Sequence, residues 1–167
     1  PAIVELKARV LVARGQKAEA ASLLTGFVRG QNNQLGPVAG LLEELGLPED
    51  AEPLFRKLAA LPGPPPEKGL ALAAFLARRG RLTEALDVAD KVWAVGKPET
   101  VGNASIALLY ASPPSEADFT RVEKKLREAI EKAPDSQSLK FDLANLRTLE
   151  GRNSEAEEIY RQLHAEK

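Results

Sequence analysis

The hexapeptide GRLTEA, residues 80–85, has three close copies elsewhere in the chain. The copies read GQKAEA at 15–20, GLPEDA at 46–51 and GRNSEA at 151–156. In each one an acid and then an alanine stand four and five places after the glycine. Successive glycines are 31, 34 and 71 residues apart, so the last interval is a little over two of the earlier ones. A recurring interval of this length is typical of proteins built from stacked helical repeats.

Each hexapeptide is predicted to end one helix and start the next. Glycine adopts the left-handed backbone conformation without steric cost, so the four glycines are expected to cap the helices that precede them. Thr83 and Ser154 are predicted to cap the following helices, because a side-chain hydroxyl accepts a hydrogen bond from a free backbone N–H group. The acid then falls in the first helical turn, where a negative charge is favourable.

Small residues flank the four turns at constant distances. Two antiparallel helices approach closely only where neither carries a bulky side chain, so small residues at fixed places are predicted to mark helix crossings. In the long interval, Ala107 and Val122 are predicted to take the two places. Elsewhere these places hold Ala8, Ala39, Ala73 and Ala144 before the glycines, and Ala20, Ala51, Ala85 and Ala156 after them.

Five helix-turn-helix units in a single array are therefore predicted. Pro62, Pro98 and Pro134 are expected to close second helices, because proline cannot continue a helix. The fourth unit has no glycine turn, and SPPSEAD at 112–118 is predicted to form a stiff, exposed loop in its place. The predicted units span about 1–31, 32–65, 66–99, 100–136 and 137–167.

This pattern resembles the tetratricopeptide repeat family, whose period is about 34 residues. The resemblance covers nearly the whole chain and implies an all-α, right-handed superhelical solenoid. The chain departs from the family in lacking an early tryptophan in each first helix. It also carries Lys7 and Arg147 at places that are usually apolar. The residues that carry the resemblance best are Leu72, Ala73, Gly80, Ala85 and Pro98, and Leu143, Ala144, Gly151, Ala156 and Tyr160.

The composition sets limits on function and assigns no compartment. The chain is 44% hydrophobic and 28% charged with a formal net charge of −1, so it has no overall basic field for nucleic acid or an anionic membrane. It contains no cysteine, which excludes disulfides and thiolate sites in these residues. No apolar run is long enough to span a bilayer, and no secretory leader opens the sequence. The absence of methionine suggests a segment of a longer protein.

The chain offers few residues for catalysis or metal binding. His164 is the single histidine and is predicted to be an exposed surface residue. Asp87 and Asp90, and the neighbours Glu43 and Glu44, are predicted to lie on solvated helix faces. The sequence contains no phosphate-binding, calcium-loop or zinc-protease motif. No enzymatic activity, cofactor or metal is therefore predicted.

Two features leave alternatives open. Trp93 either packs against the next unit or anchors a partner, since tryptophan is enriched among the residues that dominate interfaces. The stretch LPGPPP at 61–66 either ends a helix and stiffens the connection that follows or offers a Pro-x-x-P ligand to a proline-binding domain.

The resemblance also implies a concave groove lined by the first helices. Its centre is expected to be apolar and small-sided, with charge toward the N-terminal end. Relatives that grip a terminal carboxylate do so with lysine, arginine and asparagine, whereas the corresponding places here hold Glu5, Arg9, Pro37, Glu67 and Ala71. The predicted groove residues are Glu5, Arg9, Asn33, Glu43, Glu67, Leu70, Ala74, Ala104, Leu108, Phe141 and Asn145.

The predicted function is a non-catalytic protein-interaction scaffold that holds a segment of another protein in this groove. One alternative is a self-associating module, a homodimer through the end units, because neither end shows an obvious polar capping helix. Another is a docking domain of a larger enzyme or of a secretion or assembly machine. A third is an RNA-binding helical repeat like the pentatricopeptide family, against which the charge of −1 argues. Neither a nucleic-acid partner nor membrane insertion is predicted.

Overall fold

A computed structural model describes residues 2–63, 65 and 68–165, and these residues are helical with no strand among them. The predicted all-α class is therefore confirmed. The chain divides into two compact units, Pro1–Gly63 and Pro64–Lys167, and each is described by itself. A single array that continues across this division stays a prediction.

Unit 1 contains two pairs of helices, and the members of each pair pack against each other. A short 3-10 turn at Asn32–Gln34 precedes the third helix and packs on it. The helices of unit 1 are α1 (Ala2–Ala13), α2 (Lys17–Phe27), α3 (Leu35–Glu44) and α4 (Pro48–Ala60).

Unit 2 continues the pairing, and its pairs stack on one another. α7 packs against both α5 and α6, and α9 packs against both α7 and α8. The first helix of each later pair thus covers both helices of the pair before it. The helices of unit 2 are α5 (Gly69–Arg78), α6 (Leu82–Trp93), α7 (Pro98–Ala111), α8 (Glu116–Lys132), α9 (Gln137–Leu149) and α10 (Asn153–Ala165).

The four glycine turns share one hydrogen-bonding pattern, and the predicted left-handed caps are confirmed. Gly80 has φ +74°, its N–H donates to Ala77 O at 2.9 Å, and the N–H of Arg81 donates to Leu76 O at 2.9 Å. This pair of bonds is the Schellman motif, which satisfies the last free carbonyls of a helix. The same two bonds recur at Gly15, Gly46 and Gly151, with φ between +72° and +79°.

The predicted N-caps Thr83 and Ser154 are wrong, because both residues lie inside helices that begin earlier. The residue directly after the glycine already starts the next helix. The carbonyl of Arg81 accepts from Ala85 N at 3.0 Å, and that of Arg152 accepts from Ala156 N at 3.2 Å. The residue that closes the Schellman motif is therefore also the start of the following helix.

In three of the four copies the acid of the hexapeptide binds the side chain of that same residue. Glu84 accepts from Arg81 through two bonds, Nε to Oε1 and Nη2 to Oε2, both 2.7 Å. Arg152 and Glu155 repeat the geometry at 2.7 Å. At the first turn the donor is an uncharged amide: Gln16 Nε2 donates to Glu19 Oε1 at 2.8 Å. These three copies thus encode a side-chain link across the start of the helix, whereas the second copy has the apolar Leu47 at this place.

The small residues lie at buried crossings, as predicted, except in the fourth pair. Ala8, Ala39, Ala73, Ala144, Ala20, Ala51 and Ala85 have no exposed surface, and Ala156 has 3%. Val122 is also buried. Ala107 is exposed, and Ile106 one place earlier is buried instead. The predicted register of α7 is therefore wrong by one residue.

The fourth pair has its own turn, which is shorter than the predicted loop. α8 begins at Glu116, and Ser115 and Asp118 form a reciprocal capping box, with Asp118 N donating to Ser115 Oγ and Ser115 N donating to Asp118 Oδ2. Ser112 is buried, so the segment is not exposed throughout. Pro98 does not close a helix but begins α7, where a missing N–H costs no hydrogen bond.

Candidate partner-binding cleft

A cleft of about 320 Å³ opens in unit 1 among α1, α2 and α3. Five apolar side chains supply its floor, and polar residues stand at its rim. Leu24 and Val38 of this floor are buried, whereas Val4, Phe27 and Leu41 are partly exposed to the cleft. The full lining is Val4, Glu5, Arg9, Leu24, Phe27, Gln34, Pro37, Val38, Gly40, Leu41 and Glu44.

An arginine links two of the three helices that border the cleft. Arg9 of α1 donates to both carboxylate oxygens of Glu44 at the end of α3, at 2.8 and 3.1 Å. It also donates to Glu5, one turn earlier in α1, at 3.0 Å. The hydrogen bonds from Arg9 hold the pKa of the Glu44 carboxyl below its usual range. Because two carboxylates face one guanidinium, the rim carries a net charge of about −1 at neutral pH.

A glycine leaves the cleft open on the α3 side. A Cβ built at Gly40 would meet no described atom within 4 Å, and Gly40 and Pro37 are both exposed. At Gly36, one helical turn earlier, a Cβ would already lie 3.4 Å from the Leu58 side chain of α4. Of these two glycines of α3, only Gly40, which lines the cleft, has free space beside it.

The structure brings together two of the predicted groove residues in unit 1. Glu5 and Arg9 both line the cleft. Asn33 is exposed in the 3-10 turn and does not line it, whereas its neighbour Gln34 does. Glu43 is partly buried and does not line it either, because its neighbour Glu44 takes the place beside Arg9.

In unit 2 the predicted centre of the groove offers little free surface. Leu70, Ala74 and Ala104 are partly buried. Leu108 is 2% exposed and belongs to the core, so its assignment to a binding surface is wrong. Glu67 lies outside the described residues.

The error at Leu108 follows from the one-residue shift of α7. In this helix the two predicted groove residues, Ala104 and Leu108, stand three places before and one place after the predicted crossing residue Ala107. Counted from Ile106 in place of Ala107, they fall on Asn103 and Ala107, and both of these are exposed. A missing glycine turn therefore displaced two site predictions.

The last predicted pair lies beside a second cleft, of about 380 Å³. Phe141 is 50% exposed and its ring lies 5.6 Å from that of Tyr160. Asn145 is engaged inside unit 2, since its Oδ1 accepts from the Tyr160 hydroxyl at 2.8 Å. The residues that line this second cleft are Gln137, Ser138, Phe141, Tyr160, Leu163 and His164.

Two buried charges in unit 2 were not predicted. Arg147 is 1% exposed and donates to Glu123 of α8 and to Glu150, the latter at 2.6 Å. The hydrogen bond from Arg147 lowers the pKa of Glu123 to about 2. Asp142 is equally buried, and burial raises its pKa to about 6. The sequence did carry one signal of the buried arginine: Arg147 stands at a place that is usually apolar. Its contacts identify it as part of a structural ion pair.

The remaining candidate residues have structural partners or lie at the surface. Asp87 and Asp90 both accept from Arg121 of α8, each at 2.7 Å, so they tie α6 to α8. His164 is exposed, as predicted. Trp93 ends α6 and is partly buried. The stretch 61–66 falls partly outside the described residues.

The described residues contain no group of three or more histidine, cysteine, aspartate or glutamate side chains that could hold a metal ion. Among the helices in the described ranges, none has the length and apolar character needed to cross a membrane. No family model, curated protein or solved structure matches this chain. Its function is inferred from its own residues.

Proposed function

We propose that this chain is a non-catalytic protein-interaction scaffold whose unit 1 cleft binds a segment of another protein. The observation that carries this proposal is an open cleft with an apolar floor, a charged rim and free space beside Gly40. Clefts with this combination are common ligand sites, because apolar burial supplies affinity and a few polar groups orient the ligand.

We further propose that the chain is a right-handed solenoid of five repeats like those of tetratricopeptide repeat proteins. Three observations support this architecture. The same Schellman turn recurs in four helix pairs. Alanines occupy the buried crossings of those pairs. In unit 2 each later first helix packs on both helices of the preceding pair, as stacked repeats require.

The rim of the cleft indicates the chemistry of the bound segment. Arg9 already donates to Glu5 and Glu44, so it has little capacity left for a ligand carboxylate. The net negative rim favours a lysine or arginine in the partner and disfavours a phosphate backbone. The proposed ligand is therefore a peptide segment with an apolar side chain for the floor and a basic residue close to it.

One side chain in the cleft does not suffice for a stable complex. Burial of a single leucine or phenylalanine contributes about 1.5 to 3 kcal/mol, whereas a micromolar complex requires about 8 kcal/mol. The segment must therefore also contact surface beyond the cleft, and the cleft supplies an anchor and its specificity.

A pair of glycine substitutions tests the proposal. A Cβ at Gly40 meets no described atom within 4 Å, so Gly40→Leu is expected to place a side chain in the free space of the cleft without a loss of helix propensity. Gly26→Leu is the matched control, because Gly26 is also exposed in a helix and also has open space, but it does not line the cleft. The probe is a displayed library of random peptides selected on the unchanged chain.

We expect selected peptides to pair an apolar residue with lysine or arginine. Gly40→Leu should weaken their binding by at least about tenfold in a fluorescence titration, which corresponds to about 1.4 kcal/mol. Gly26→Leu should leave it unchanged. If no peptide is enriched, or if both variants bind the selected peptides as the unchanged chain does, the cleft is not the binding site.

A further inference from the structure

In unit 2 a first helix packs on the second helix of each earlier pair. The equivalent site on the last pair, α9 and α10, is not covered by another described helix. Four and seven places after the buried crossing residue, α6 carries Ala89 and Val92 and α8 carries Leu126 and Ala129, and all four are buried. α7 packs against α6, and α9 packs against α8. The same places in α10 hold Tyr160 and Leu163, which are partly exposed.

This uncovered site, here called the socket, has the features that receive a first helix. Its cleft is lined mainly by apolar atoms of Phe141, Tyr160 and Leu163. Glu157 directly follows the crossing residue Ala156, as Glu123 directly follows Val122. Glu123 binds Arg147, a cation of the first helix that covers α8. An incoming first helix with a cation would find Glu157 at the equivalent place.

The α1 face of unit 1, here called the plug, has the complementary features. Ile3, Leu6 and Val10 are 72%, 64% and 42% exposed, and their spacing of three and four residues places them on one side of the helix. A cavity of about 520 Å³ lies along this side and is bordered by the cations Lys7 and Arg14 and by one acid, Glu19. An exposed apolar helix face with a polar border is typical of an interaction surface.

We propose that the plug of one copy of this chain occupies the socket of another. α1 is a first helix, the type that fills the equivalent sites on α5–α6 and α7–α8. Its apolar stripe matches the apolar socket, and Lys7 and Arg14 match the exposed acids Glu157 and Glu158 in charge. Glu157 also accepts from Arg161 of its own helix, just as Glu123 accepts from Arg127 and still binds Arg147. The partner is therefore a second copy of this chain, and the proposal is independent of the unit 1 cleft.

Plug and socket are different surfaces, so the contact is heterologous. Such a contact adds copies in one direction, and it produces a closed ring or an open chain. One helix on two helices is a small interface, and small interfaces are weak. We expect association that rises with protein concentration and falls with salt, because the charged border is exposed.

Two exposed substitutions separate this arrangement from its alternatives. Leu6→Glu blocks the plug and Phe141→Glu blocks the socket, and both side chains are at least half exposed, so neither change disturbs the core. Sedimentation equilibrium over a roughly hundredfold range of concentration measures the mass. Circular dichroism of each variant checks that its helical content is unchanged.

We expect the unchanged chain to form species larger than a dimer with rising concentration, and each variant alone to stay monomeric. An equimolar mixture of the two variants should form a one-to-one dimer and nothing larger, because one intact plug and one intact socket remain. Reversing the charges singly, Lys7→Glu or Glu157→Lys, should weaken association, and the double reversal should restore it.

Three results would overturn the proposal. The unchanged chain could stay monomeric throughout, in which case another helix covers the socket. The mixture of variants could stay monomeric, in which case plug and socket do not meet. The Phe141→Glu variant could still dimerise, in which case α1 faces pair with each other.

Discussion

The carboxyl group of Asp142 is buried in unit 2, and its Oδ2 has no hydrogen-bond partner among the described residues. The side chain of Asn103 donates a hydrogen bond to this carboxyl group. Gly102 of α7 packs so closely that a Cβ there would lie 2.9 Å from Oδ2. Burial of an ionised carboxylate without a cation destabilises the folded state.

We expect Asp142→Asn to stabilise the chain in a pH-dependent way. The pKa of Asp142 is about 6 in the folded state, above the ordinary value of 3.8, so the folded state binds the proton more tightly. Its contribution to stability is therefore intact below pH 3.8 and is lost as the pH rises toward 6. The loss at pH 7 is about 2 to 3 kcal/mol.

Urea unfolding of both proteins at pH 4 and pH 7.5 measures this difference. The variant should gain most of that free energy of unfolding at pH 7.5 and little at pH 4. A gain that is equal at both pH values would show that ionisation of Asp142 is not its cause.

The burial of individual charged side chains could not be predicted from the sequence, for a physical reason. Whether a charge is solvated or buried depends on partners that are distant in the chain, such as Glu123 for Arg147, 24 residues away. The pattern of α9 marked Arg147 as an exception, and the local spacing identifies Glu150, three residues later, but no local rule identifies Glu123. The same holds for Arg9 and Glu44, 35 residues apart, which form the rim of the cleft.

At the scale of the helix, two glycine-to-alanine substitutions are expected to change the free energy of unfolding in opposite directions. Gly80→Ala forces an alanine into a φ of +74°, and we expect a loss of about 1 kcal/mol in the free energy of unfolding. Gly40→Ala lies inside α3 with open space around it, so it should gain about 0.5 to 1 kcal/mol. Urea titrations at constant pH measure both. If Gly80→Ala is neutral or stabilising, the turn does not depend on the left-handed residue.

The elements were predictable wherever the turn has its glycine. The period located the four Schellman turns and the buried alanines, because a positive φ and a close crossing each demand a specific small residue. The start of the next helix was misplaced, since the residue after the glycine ends one helix and begins another, and hydroxyl caps are not needed. The register of α7 failed because Ser115 and Asp118 cap α8 in place of a glycine.

At the scale of the whole chain, the two compact units each have their own core. Leu24, Leu42 and Phe55 belong to unit 1, and Phe75, Leu109 and Leu126 belong to unit 2. A loss of stability in one core should therefore remain within that unit. Whether the two units unfold together or separately is a question of folding cooperativity, and the spacing of the glycine turns in the sequence does not answer it.

Arg147→Ala tests this separation. The change leaves Glu123 and Glu150 without their buried cation and should destabilise unit 2 by about 3 kcal/mol. Hydrogen exchange should then accelerate by about a hundredfold in α7 to α10 and by less than about threefold in α1 to α4. Equal acceleration in all these helices would show that the chain unfolds as one cooperative body.

The three-residue glycine turns also determine where foreign sequence can enter the chain. An added residue between Gly80 and Arg81 would move the N–H of Arg81 away from Leu76 O, because the carbonyl and the guanidinium of Arg81 are bonded to Ala85 and Glu84 of the following helix. Exposed connections normally accept insertions, but these turns are expected to resist them, because the residue after the glycine bonds to both helices. The segment between α2 and α3 has residues 29–33 all exposed and joins two helix pairs without belonging to either, although its Gln31 bonds both to Phe27 of α2 and to Gln34 of the 3-10 turn. An epitope or a fused domain grafted there would leave every helix pair intact.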